Sequence, residues 1–175
     1  FNDLGDMVRD LDPDYVISTG DNWQVKDTPN PTGTDRYDLT VGQRFCEFLR
    51  GAASGPHCDG DESPGKNRFY PVAGNHDHDD GGLANYLAYF DLPGPGAEKQ
   101  TSTGSELYYD VKMGPVHMFV IDSESMSVES EGGTPAVPTA TQRTWLQNAM
   151  AASNAPWKVV ALHEPPYGSS AAYGS

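Results

Sequence analysis

An α/β sheet protein is what this sequence predicts, on three observations. Short β-branched or apolar runs (YVIST at 15–19, FYPVA at 69–73, WKVVALH at 157–163) read as buried strands. Stretches of helical periodicity lie between them, and no segment repeats another. At 175 residues the chain fits one domain over 1–175, able to bury about 70% of the surface its unfolded form exposes.

Taken in order, Leu4, Met7, Val8 and Leu11 recur at helical spacing, and Asp12-Pro13-Asp14 ends that helix. YVIST runs directly into Gly20-Asp21-Asn22, followed by a polar Pro/Gly/Asp loop. Leu39 to Arg50 predicts a helix with Val41, Phe45 and Leu49 on one face. Residues 51–68 read as loop, FYPVA as strand, 74–82 as loop again and Leu83 to Phe90 as helix. ELYYDVKMGPVHMFVIDSE (106–124) is two strands joined at Met113-Gly114-Pro115, a hairpin. The acidic, Gly-rich 124–135 reads as a loop. Thr139 to Ala152 is an amphipathic helix through Trp145, Leu146 and Met150, ahead of the last strand.

Composition narrows the function. The 37% hydrophobic content supports a packed core. Eleven Lys+Arg against 25 Asp+Glu leave a net charge of −14, which argues against a large nucleic-acid footprint. A phosphate-bearing substrate would need local positive charge, such as a metal. No apolar run approaches the roughly 18 residues of a membrane span. Cys46 and Cys58 either form the disulfide of an exported protein or are two unrelated thiols; a secreted or periplasmic location is the expectation. Nothing in the sequence sets an oligomeric state.

Chemistry gathers at three strand ends. YVIST ends in Gly20-Asp21-Asn22, FYPVA in Gly74-Asn75-His76-Asp77, and VVAL in His163-Glu164-Pro165-Pro166-Tyr167. In α/β sheets, ligands collect beyond the carboxyl ends of strands. Glycine before Asp21 and before Asn75 lets the backbone turn tightly beside an ion. A carboxylate can bridge two cations, and an amide oxygen and an imidazole suit Zn, Fe or Mn. The competing readings are a hydrophilic turn and a calcium loop, but a calcium loop begun at Asp77 places Ala88 at its final carboxylate position. GDESPGKN (60–67) follows a phosphate-cradling loop only as far as Gly65-Lys66. His78, Asp79 and Asp80 read as a solvated loop and His117 as a structural strand residue. Asp122 and Ser123 border the cleft with a structural role.

GDN, GNHD and a strand followed by HxPPY, in that order, resemble the calcineurin-like metallophosphoesterases. TGDNW, YLAYFDLPG, YYDVKMGPVHMFVIDSE and WLQNAMAASNAPWKVVALHEPPYGS are similar to the purple and tartrate-resistant acid phosphatase branch, over nearly the whole chain. The resemblance implies a four-layer α/β/β/α sandwich, two divalent or trivalent metal ions (Fe, Zn or Mn) and a small phosphoester substrate. It implies Asp21 as the carboxylate bridging both ions, and Asn75 and His163 as ligands of the second. His76 becomes the acid and phosphate contact, Asp77 its orienting partner, and Asn22 a substrate or positioning contact. Metal-bound hydroxide is the implied nucleophile. Gln24 stands where the purple enzymes carry a tyrosine, so an Fe(III)–phenolate centre is not expected, and Glu164 replaces a histidine common in relatives. The family's opening Asp-x-His strand and closing Gly-His-x-His are not found, so the expectation is a domain truncated at both ends and inactive by itself. The alternatives are a phosphodiesterase or nucleotidase of the same superfamily, and a non-catalytic cation-binding relative.

Overall fold

Val16–Ser18 (β1) and Phe69–Pro71 (β2) pair in parallel, Val16 opposite Phe69 and Ser18 opposite Pro71. A second sheet has the order β3-β4-β5. Tyr109–Met113 (β3) runs antiparallel to Val116–Val120 (β4), which is parallel to Trp157–Ala161 (β5). The computed structural model describes residues 2–23, 33–50, 65–79, 82–130 and 132–166. Gln24, His57, Cys58, Asp80, Tyr167 and positions 60–64 of the GDESPGKN stretch lie outside them. Among the described residues no helix is long and apolar enough to cross a membrane.

The hairpin turns where the sequence places it, with Gly114 at φ +58°, a conformation that favours glycine. Parallel pairing puts the carboxyl ends of β1 and β2 on one edge, and those of β4 and β5 on one edge of the other sheet. Both sheets share one core. The Tyr109 hydroxyl of β3 donates to the Pro71 carbonyl of β2 at 2.8 Å, and Tyr86 donates to the same oxygen at 3.2 Å. Tyr37, Tyr86, Tyr89 and Phe90 pack ring against ring at 4.9–6.0 Å between centroids.

Helices α1 (Asn2–Leu11), α5 (Gly82–Tyr89) and α7 (Thr139–Ala152) fall where periodicity predicts them. Their faces are less predictable. In α1, Leu4, Met7 and Leu11 are exposed while Gly5 packs on Arg44. The fully buried positions of α7 are Gln142 and Ala149, with Trp145 and Leu146 only partly covered. The helix expected over 39–50 begins and ends earlier. It is built from α2 (Asp35–Tyr37), a π-helical turn (Asp38–Gly42) and α3 (Gln43–Phe45).

Two predicted loops contain helices. Asn75–His78 (α4) forms because Gly74 enters in extended geometry and Asp77 reaches back to its N–H, Oδ2 accepting at 2.9 Å. Ser123–Ser130 (α6) forms because the Asp122 carboxylate accepts from the Ser125 N–H at 3.2 Å and from its hydroxyl. Both are capping events, which hydrophobic periodicity does not register.

Candidate functional site

Asp21, Asn75 and His163 meet. The His163 Nε2 lies 3.0 Å from Asn75 Oδ1 and 3.4 Å from Asp21 Oδ1, although 88 and 142 residues of sequence separate the pairs. Asp21 sits in left-handed geometry at φ +51°, which an aspartate tolerates better than most residues, following Gly20 at φ +112°. Both preceding glycines are required by proximity. A Cβ on Gly20 would run into the His163 ring, and one on Gly74 into the backbone nitrogen and carboxylate of Asp21.

The tautomer of His163 follows from its neighbours. Nδ1 is 2.8 Å from the Thr19 carbonyl, which can only accept, so Nδ1 carries the proton. The Nε2 of the neutral ring then presents a lone pair to two oxygens that are themselves acceptors. A second proton on the ring or a bound cation would relieve this crowding, which makes the corner a candidate cation position. Asp21 Oδ1 also accepts the His76 N–H at 3.1 Å, which fixes the carboxylate against the first turn of α4. Among the described residues no group of three His, Cys, Asp or Glu side chains forms a metal cluster; the third donor of this corner is the Asn75 amide.

His76 stands at the rim, 36% exposed, with Nδ1 3.4 Å from Asp79. Asp77, expected to orient His76, is placed differently. It is fully buried and accepts from Gly74 N at 2.9 Å, Asn22 N at 3.2 Å and Asn22 Nδ2 at 3.0 Å, with the Tyr37 hydroxyl as a further partner. Burial pushes this carboxyl above its ordinary range, against the pull of those hydrogen bonds. The carboxylate beside the His76 ring is Asp79, because one helical step turns residue 77 toward β1. Asn22 is also placed differently from a substrate contact. It is buried, and its Nδ2 bridges Val72 O (2.8 Å) and Asp77, tying the ends of β1 and β2 together.

A second set of contacts escapes sequence reasoning. His78 is no solvated loop residue: its Nε2 pairs with the buried Asp122 Oδ1 at 3.2 Å. Burial pulls the His78 ring down, but Asp122 and neighbouring carboxylates raise it above its ordinary value overall. The Glu164 N–H donates to Ser123 Oγ at 2.9 Å, and Ser127 donates to the Glu164 carboxylate. The adjacent donor and hydroxyl in VIDSE were the available signal for this role.

This is an α/β protein whose strand ends assemble a carboxylate, an amide oxygen and an imidazole. The model of the calcineurin-like phosphoesterase family matches residues 1–175, and the chain belongs to that family, one of metal-dependent phosphoester hydrolases. No curated protein matches the chain.

Proposed function

We propose that this protein is an acid-phosphatase-like phosphomonoesterase with a dinuclear metal centre, Asp21 bridging and Asn75 and His163 holding the second ion. The observation that carries this reading is the convergence of Asp21 Oδ1, Asn75 Oδ1 and His163 Nε2 from three strand ends, the two oxygens within 3.0–3.4 Å of the His163 nitrogen. Two sheets on one core, joined at Pro71 and Tyr109, support the four-layer sandwich. The disulfide at Cys46 supports a secreted or periplasmic location, since such bonds persist in oxidising compartments.

A bound divalent cation would supply Lewis acidity, drawing charge from a phosphoryl oxygen and making nearby water more acidic. The chain's own residues do the rest. The Thr19 carbonyl holds the His163 proton on Nδ1, keeping Nε2 aimed at the corner. The Asp21 carboxylate is pinned by the His76 N–H. His76 is exposed and has Nδ1 turned to Asp79, which leaves Nε2 to protonate the departing alkoxide.

The test is hydrolysis of an aryl phosphate monoester against a bis-aryl phosphodiester, with Mn²⁺, Zn²⁺ or Fe²⁺ supplied and then chelated. Where the whole ligand set is present we expect faster monoester turnover, loss on chelation, and a kcat about 10²–10⁴ lower in His76→Ala; residues 1–175 by themselves, with only the ligands named above, are expected to turn over little or nothing. Turnover that survives chelation or His76→Ala overturns the proposal. Two ions bound per chain support the dinuclear form; ion binding without turnover favours the non-catalytic relative.

A further inference from the structure

We infer that the Asp122–Ser123 pair at the end of β4 is a positioning frame that sets the spacing between Asn75 and His163, a role that rests on the metal-site reading above. Those two residues follow strands of different sheets, β2 and β5, and among the described residues no strand pairing joins the sheets. Something else must hold their donor atoms 3.0 Å apart.

Two cross-links, one from each residue of the pair, do so. Asp122 Oδ1 lies 3.2 Å from His78 Nε2, an ion pair when the ring is protonated and outside hydrogen-bond alignment, at the far end of the single helical turn that starts with Asn75. Ser123 Oγ receives the Glu164 N–H at 2.9 Å, one residue beyond His163. The frame is itself fixed. The Asp122 N–H donates to Gln142 Oε1 at 2.9 Å and its carbonyl accepts from Gln142 Nε2 at 3.1 Å, so α7 clamps the backbone. Ser125 occupies both carboxylate oxygens. Asp122 and Ser123 are buried, which shields these contacts from water. The β1 end braces the inner side of the corner, Asp77 to Asn22, Asp21 to the His76 N–H and the Thr19 carbonyl to His163 Nδ1. Asp122–Ser123 adds a second clasp from β4, on the far end of α4 and on the residue after His163.

The experiment compares Ser123→Ala, His78→Ala and His78→Gln with the wild-type chain. It measures Mn²⁺ affinity by calorimetry, unfolding temperature, and the ring ¹⁵N shifts of His163 in metal-free protein. The expected result is affinity of the folded protein about 10- to 100-fold weaker in the two alanine variants, alongside a modest fall in unfolding temperature because each leaves a buried group short of a partner. His78→Gln, which can still bond Asp122, recovers most of the affinity, and the His163 shifts move in both alanine variants. Wild-type affinity and unmoved shifts in those variants overturn the frame. If the wild-type chain binds no Mn²⁺, the metal-site reading fails by itself. The ¹⁵N shifts then decide the frame alone, moved shifts upholding it and unmoved shifts overturning it.

Discussion

Of the histidines that sit beside carboxylates, His117 and His163 have surroundings that could hardly differ more. His117, in β4, is fully buried between Asp110 Oδ2 (2.9 Å from Nε2) and Ser153 Oγ (2.8 Å from Nδ1). Asp110 can only accept, so Nε2 carries the proton. Ser153 donates to Nδ1 and accepts from the Ala155 N–H at 3.3 Å. Every lone pair there has a proton. His163 has the reverse problem: its Nε2 faces two acceptors and is partly exposed. The first cluster resembles a nucleophilic relay in composition, yet no substrate can reach it. A closed hydrogen-bond chain is a structural fastener, whereas acceptors converging at a partly open corner are what the proposed cation site requires.

The contrast breaks most visibly in stability. His117→Ala strands the buried Asp110 carboxylate and should cost about 3–5 kcal/mol by chemical denaturation, with Mn²⁺ affinity of the folded fraction unchanged. Burial raises the Asp110 carboxyl, but hydrogen bonds from Thr101, Gln100 and His117 outweigh it and hold it below its ordinary value. Its contribution is therefore present above the ordinary aspartate range and lost as pH falls through the lowered value. A loss below 1 kcal/mol would remove the distinction between the clusters.

At the open corner the signs reverse. His163→Ala and Asp21→Asn relieve a crowd of acceptors, so we expect little change in metal-free stability. Free Mn²⁺ at a hundred times Kd should stabilise the wild type by about 2.7 kcal/mol and these variants not at all. Equal stabilisation of wild type and variants in a thermal-shift titration would place the ion elsewhere.

The smallest effect concerns Glu106, a carboxylate with neither remedy. Burial, then the Asp91 charge, push it up to about 7. The native state thus holds this proton more tightly than the unfolded chain does. Its contribution to stability falls as pH rises from the ordinary glutamate range to about 7, and is flat above. Partial exposure screens the effect to about 1 kcal/mol. Denaturation midpoints across that window should slope less in Glu106→Gln; an identical slope would dismiss the group.

The strands, the hairpin at Gly114 and the helix Thr139–Ala152 were legible because period-2 and period-3.6 patterns register burial directly. The Asp21, Asn75 and His163 trio was legible because each stands just beyond a short apolar strand, where a parallel sheet gathers its edge. The helices α4 and α6 were not, since one side-chain acceptor at a helix start decides them. Nor was the orientation of Asp77, which turns on whether a single helical step follows Gly74.

By itself, then, the sequence determined which chemical groups stand at strand ends, through hydrophobic patterning and the glycines that let chains approach closely. Only the tertiary structure decided which nitrogen of His163 keeps its proton, which carboxylate faces His76, and that Asp122 and Ser123 clasp both sides of the corner. Those outcomes depend on hydrogen bonds between residues as far as 144 positions apart. Their directions are set by how two unpaired sheets pack, and no local pattern encodes that.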